Sequence, residues 1–148
     1  MKSCLVAASG AVTAFGDLET TWQALLAGRS ALTPYKLEGK SWPVGCIQDL
    51  QAPIGSARRV QELLERLYLQ LPVLPALTDL IVSTTKAAAD ELLAQPTGPW
   101  PGQPWNLAAE IAGALNLQGE AVTVSAACAS GTLAVLQGPL RLAAGESS

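Results

Sequence analysis

One stretch of the sequence has residue types and spacing suited to covalent chemistry, namely VTVSAACASG from Val122 to Gly131. Its first half predicts a buried strand, and Cys128 falls in the tight turn where a helix is predicted to begin. A thiol at the start of a helix faces the positive end of the backbone dipole, which favours the thiolate. The first amides of that helix lack internal partners and can stabilise an oxyanion. Together these features predict a nucleophile for acyl transfer at Cys128.

The same cysteine has a second interpretation. Cysteine is among the residues most often buried in proteins, where it behaves as a small hydrophobic side chain. The small residues around Cys128 leave room for a substrate, but they would also suit a structural thiol in a packed core. The residues alone favour this structural interpretation, because buried cysteines are common, although they leave the nucleophile open.

Other catalytic motifs are missing from the sequence. It contains no histidine, so an imidazole base or a histidine-bound metal would have to be supplied from outside it. Gly39-Lys40-Ser41 resembles the end of a phosphate-binding loop, but Pro34 occupies the position where that motif needs a glycine. The acidic residues are scattered, and none are spaced as a metal-binding pair. We therefore predict neither a metal nor a cofactor.

The composition of the 148-residue chain excludes several classes of protein. A hydrophobic fraction of 49% and a charged fraction of 14% exclude an intrinsically disordered chain. A net charge of -3 without a basic run argues against binding to nucleic acid. The charge-free segment 121–140 holds too many polar residues and helix breakers for a membrane span. Three widely spaced cysteines predict reduced thiols in a cytoplasmic protein.

Hydrophobic periodicity and breakers predict an alternation of strands and helices. The predicted elements are, in chain order, a strand at 2–8, a helix between Asp17 and Gly28, an irregular loop at 29–55, a helix between Ser56 and Pro72, a strand at 78–83, a helix at 85–93, a Pro- and Gly-rich loop at 95–104, a helix at 105–115, a strand at 121–125 and a helix at 129–144. Alternation of this kind indicates an α/β layered fold with parallel strands. The last strand and helix are predicted to be buried, and Pro139 is expected to kink or shorten that helix.

The segment Val122–Gly131, with Ala126–Gly131 at its centre, resembles the active-site cysteine segment of β-ketoacyl-acyl-carrier-protein synthases, within the thiolase superfamily. Residues 9–16 and 21–30 resemble the first strand and helix of that family, and Leu80–Lys86 resembles its second strand and turn. The resemblance implies a thiolase-like, layered α/β/α fold. Residues 1–148 would then form a single, truncated N-terminal portion of a β-ketoacyl synthase domain, an incomplete N-terminal half.

The activity that the resemblance implies is a decarboxylating Claisen condensation in fatty-acid or polyketide synthesis. Cys128 would accept an acyl group from an acyl carrier protein or CoA thioester, and a malonyl-type extender would then be condensed with it. In the family, two histidines and a lysine from the second half of a longer chain assist this step. Because those residues are not in this sequence, the 148-residue chain is expected to be inactive alone. A homodimer or a complementing ketosynthase chain is the expected protein partner.

Two alternatives stay open within the same fold. One is a non-catalytic ketosynthase-like partner or dimerisation subunit, which the absence of histidine favours and the presence of Cys128 disfavours. The other is a fragment of a thiolase-type enzyme that acts on acyl-CoA, because thiolases share the cysteine motif.

Overall fold

The computed structural model describes residues 4–56, 58–87, 89, 97 and 103–145. Its elements are, in chain order, α1 (Leu18–Leu26), β1 (Thr33–Leu37), β2 (Lys40–Val44), α2 (Arg58–Tyr68), β3 (Leu80–Ser83), α3 (Pro104–Ala114), β4 (Ala121–Val124) and α4 (Ser130–Ala144). The chain divides into two compact units. One consists mainly of residues 73–148, and the other of residues 6–53 and 58–72.

The C-terminal unit is built on a parallel pair of strands. β3 and β4 pair in register from Leu80 opposite Ala121 to Ser83 opposite Val124, which confirms the predicted parallel arrangement. Helices α3 and α4 both pack against these strands. The buried hydrophobic side chains of this unit lie on α3 and β4, and they are Ala108, Ile111, Ala112 and Val124. The helical periodicity of the sequence predicts that the positions named on α3 lie on one apolar face of the helix.

The connection into β4 lies very close to the segment before β3. A Cβ atom added at Gly119 would lie 2.4 Å from the carbonyl oxygen of Thr78. The amide of Glu120 donates to Asp79 Oδ1 at 2.8 Å, and the amide of Leu80 donates to the carbonyl oxygen of Glu120 at 2.8 Å. Arg141 of α4 also pairs with Glu120. Glycine is therefore required at position 119 because no side chain fits between the two segments.

The N-terminal unit begins with a capped helix that the sequence predicts. The side chain of Asp17 accepts a hydrogen bond from the amide of Thr20 at 2.8 Å, and Gly28 follows the helix with φ +65°. Helix α2 carries the predicted ion pair between Glu62 and Arg66, at 3.0 Å. The side chain of Gln70, just beyond α2, donates to the carbonyl oxygen of Ala11 at 2.9 Å and accepts from its amide at 3.2 Å.

The prediction of an irregular loop over residues 29–55 is wrong for residues 33–44. These residues form an antiparallel hairpin in which Pro34 pairs with Pro43. Glu38 and Gly39 at its tip both have positive φ, 49° and 76°, as in the two-residue turns that match the twist of a hairpin. The prolines are tolerated because each strand of a two-stranded ribbon has a free edge, where a missing N–H breaks no pairing.

Other predictions are also corrected by the structure. Residues 4–8 of the strand predicted at 2–8 are not a strand, and Leu5 and Val6 are 86% and 87% exposed. A strand needs a hydrogen-bonded neighbour, and none of the described residues pairs with this segment. The predicted burial of the last helix is also wrong, since Ser130 is the buried residue of α4.

Helix α4 runs through Pro139 to Ala144, so the proline does not shorten it. The helix predicted at 85–93 and the loop predicted at 95–104 lie largely outside the described residues. Within the described part of the chain, no helix combines the length and the apolar character needed to cross a membrane.

Candidate functional site at the Cys128 turn

Cys128 lies between the end of β4 and the start of α4, as the sequence predicts. The amide of Ala129 donates to the carbonyl oxygen of Ala126 at 3.0 Å, and the amide of Ser130 donates to that of Ala127 at 3.2 Å. Ala127 has φ +48°, a left-handed conformation that costs a non-glycine residue about 1–2 kcal/mol. The chain thus makes a sharp, strained turn directly before Cys128.

The side chain of Cys128 is exposed to solvent. The structural interpretation predicts a buried thiol, and the exposure of Cys128 argues against it. The side chains on both sides of it, from Ser125 to Ala129, are exposed as well. A substrate can therefore reach the sulfur without a rearrangement of the turn.

The buried hydroxyl of Ser130 braces this turn. Ser130 is 3% exposed, and its Oγ accepts a hydrogen bond from the amide of Ala126 at 2.8 Å. The same hydroxyl donates to the carbonyl oxygen of Ala127 at 2.8 Å. Sequence reasoning treated Ser130 only as one of several small neighbours of the cysteine. The tendency of serine side chains to hydrogen-bond to backbone groups three or four residues earlier was the signal that could have revealed this role.

Backbone amides beside the sulfur are available to a ligand. Among the described residues, no acceptor pairs with the amides of Cys128, Gly131 or Thr132. Such unpaired donors are usual at the start of a helix. A Cβ added at Gly131 would meet no atom within 4 Å, so space is open beside the first turn of α4. Unpaired N–H donors of this kind can stabilise an oxyanion on a bound ligand.

The turn after the neighbouring strand reaches the same edge of the sheet. Because β3 and β4 are parallel, their carboxyl ends are adjacent, and the amide of Thr84 donates to the carbonyl oxygen of Val124 at 3.2 Å. The Oγ1 of Thr84 accepts from the amides of Lys86 and Ala87, at 3.3 and 2.8 Å. Ligand sites of parallel sheets usually lie outside this edge. The Cys128 turn therefore occupies the position at which an α/β protein commonly binds its substrate.

A cleft of about 400 Å³ lies in the N-terminal unit beside Glu62. The amides of Ala52 and Gln51 donate to the Glu62 carboxylate at 3.0 Å, and with the Arg66 guanidinium they lower the pKa of Glu62. The Glu62 carboxylate therefore holds residues 51 and 52 against α2, and we assign it a structural role. Among the described residues, no group of three or more possible metal ligands is present.

Comparison with known families covers the part of the chain that contains the turn. The family model described as beta-ketoacyl synthase, N-terminal domain, matches residues 79–148. Over these residues the chain is similar to the N-terminal domain of β-ketoacyl synthases. No curated protein and no solved structure matches the chain.

The family match confirms the predicted resemblance over β3, α3, β4 and α4. β-Ketoacyl synthases serve fatty-acid and polyketide synthesis, and their N-terminal domain implies a thiolase-like fold. The parallel β3–β4 pair with α3 and α4 packed on it agrees with such an α/β fold. The resemblance of residues 9–30 to the same family lies outside the matched region and stays a prediction.

Proposed function

We propose that Cys128 is the acyl-accepting nucleophile of a β-ketoacyl synthase-type site. One observation supports this assignment above the others: within the matched region, an exposed cysteine occupies a strained strand-to-helix turn with unpaired amides beside it. A cysteine in such a turn is accessible to a bulky thioester, whereas a core cysteine is not. The acyl donor would be a thioester of CoA or of an acyl carrier protein.

The chemistry of the first half-reaction follows from the groups at the turn. The Cys128 thiolate attacks the thioester carbonyl carbon and forms a new C–S bond, and the carbonyl oxygen becomes an oxyanion. The amide of Cys128, with those at the start of α4, would stabilise that charge. Collapse of the intermediate breaks the donor's C–S bond, and the departing thiolate takes a proton from solvent. The product is an acyl group on Cys128.

The second half-reaction needs groups that this sequence does not contain. Decarboxylation of a malonyl thioester leaves a carbanion, which is assisted in the family by histidines, and the chain has none. We therefore propose that this chain stops at the acyl-enzyme unless a second protein supplies those residues. That protein would be a complementing ketosynthase chain, which makes a homodimer alone insufficient for condensation.

The proposal is tested on the 148-residue chain carrying Cys4→Ser and Cys46→Ser, so that Cys128 is the only thiol. Incubation with acetyl-CoA should add one acetyl group, detected by intact mass spectrometry and located at Cys128 by peptide mapping. The matched control carries Cys4→Ser and Cys128→Ser, and its Cys46 should be acetylated at least about tenfold more slowly. Equal rates at Cys46 and Cys128 would contradict the proposal. Added malonyl-CoA should yield no β-ketoacyl product.

A role as a non-catalytic partner subunit is the second candidate, and one observation favours it. Helix α4 exposes large apolar side chains, namely Leu133, Val135, Leu136, Leu140 and Leu142. Exposed apolar groups on one helix are typical of a surface that another protein covers. This candidate predicts that Cys128 is not acylated and that light scattering detects a dimer or larger assembly.

A further inference from the structure

We propose that Ser130 is a positioning residue for the acyl transfer, an inference that rests on the proposed function of Cys128. Its hydroxyl sets the direction of the Cys128 amide, which would bind the carbonyl oxygen of the thioester. The role extends beyond holding the helix start in place. Ser130 would decide how well the turn stabilises the charge that develops during acylation.

The position of Ser130 differs from that of every other residue in the turn. Residues 125–129 are exposed, whereas Ser130 is 3% exposed and is the buried polar side chain among the described residues. Its hydroxyl makes two hydrogen bonds within the turn: it donates to the carbonyl oxygen of Ala127 and accepts from the amide of Ala126. An otherwise exposed segment is thereby tied at two points to a buried group.

The peptide group between Ala127 and Cys128 links this brace to the chemistry. A peptide group is planar, so the C=O of Ala127 and the N–H of Cys128 point in opposite directions within one rigid unit. The hydroxyl of Ser130 holds that C=O at 2.8 Å, and the amide of Ser130 holds it at 3.2 Å. Fixing the carbonyl oxygen therefore fixes the direction of the Cys128 N–H on the opposite side.

The conformation of Ala127 explains why a brace is needed. Its φ of +48° is disfavoured for alanine, and the segment would relax toward an ordinary conformation if nothing opposed it. Rotation about Ala127 would turn the Ala127–Cys128 peptide and change the direction in which the Cys128 N–H points. The hydroxyl of Ser130 engages groups on both sides of Ala127, which opposes that rotation.

Two electrophiles separate positioning from general reactivity or stability. Acylation by acetyl-CoA develops an oxyanion and needs the directed amide, whereas alkylation by iodoacetamide occurs at a saturated carbon and develops none. The informative quantity is the ratio of the acylation rate to the alkylation rate at Cys128, measured in the Cys4→Ser, Cys46→Ser chain. A change that only exposes the sulfur or loosens the fold alters both rates together.

We expect Ser130→Ala to lower this ratio by about tenfold or more, since loss of one oxyanion donor costs about 10²–10³ in rate. Ser130→Thr, which keeps a hydroxyl, should stay within about threefold of the parent. Ser125→Ala is the matched control, because Ser125 is an exposed serine of the same turn with no side-chain hydrogen bond in the described structure. Its ratio should not change. A parent-like ratio in Ser130→Ala would overturn the inference.

A second variant keeps the test decisive if Ser130→Ala folds poorly. In Ser130→Ala with Ala127→Gly, glycine takes the positive φ without strain and should recover part of the unfolding midpoint. The ratio should still be low, because the peptide before Cys128 has lost the hydroxyl bond, the shorter of the two bonds that hold its carbonyl oxygen. Recovery of the parent ratio would show that Ser130 acts through stability alone. Failure of the parent itself to be acylated would instead refute the proposed function of Cys128.

Discussion

Replacement of Gly119 by alanine should destabilise the C-terminal unit through a steric clash. The added Cβ would lie 2.4 Å from Thr78 O and 2.6 Å from Asp79 Oδ1, although such atoms essentially never approach closer than 3.0 Å. The two segments must therefore separate by roughly half an ångström or more. Overpacking of this kind costs about 1–3 kcal/mol.

The separation would also weaken the hydrogen bonds that join the segments. The amide of Gln118 donates to Ala76 O at 2.6 Å, and that of Glu120 donates to Asp79 Oδ1 at 2.8 Å. Each such bond contributes about 1 kcal/mol, and a shift of this size weakens them without breaking them all. We expect the free energy of unfolding to fall by about 2–4 kcal/mol in Gly119→Ala.

Gly113 provides the matched control for this substitution. It lies within α3, and a Cβ there meets no atom within 4 Å, so Gly113→Ala should stabilise the protein by about 0.5–1 kcal/mol. Urea unfolding followed by circular dichroism measures both variants. A loss below about 0.5 kcal/mol in Gly119→Ala, on the scale of ordinary surface substitutions, would refute the close approach. So would equal stability of the two variants.

Two further predictions concern the N-terminal unit. The Glu62 carboxylate accepts hydrogen bonds from the amides of Ala52 and Gln51, and these bonds lower its pKa below 4.5. The stability that the bonds contribute is therefore present above about pH 4.5, and it is lost as the pH falls through the pKa of the folded state. In urea unfolding from pH 7 to pH 3, the acid-side loss should be smaller in Glu62→Gln than in the parent, and an equal loss would contradict this role. Gln70→Ala should cost about 1–3 kcal/mol, because the amide and carbonyl of Ala11 lose their partner. Gln70→Glu, which still accepts but cannot donate, should protect the Ala11 amide from hydrogen exchange better than Gln70→Ala does, and equal protection would refute the contact.

Local signals made the helices and the Cys128 turn predictable. The cap at Asp17 and the stop at Gly28 are short-range features, and α1 lies between them as expected. The small-residue segment around Cys128 predicts a strand-to-helix turn, which the structure contains. The hairpin of β1 and β2 was missed because its prolines suggested a loop, although the two-residue turn at Glu38-Gly39 was a usable signal.

Features that depend on distant partners were not predictable in this way. The segment 4–8 has the apolar composition of a strand, yet a strand exists only where another backbone accepts its hydrogen bonds. The exposure of Cys128 and the burial of Ser130 likewise depend on how α4 packs against β3 and β4.

The order of residues alone determined that a cysteine would stand between a strand and a helix, and that no histidine of this chain could assist it. These properties follow from local backbone preferences and from composition, which need no tertiary contacts. Only the tertiary structure decided that the sulfur faces solvent while the hydroxyl two residues later is buried and braces the turn. Burial is a property of the neighbours that packing brings together, and segments far apart in the chain supply those neighbours.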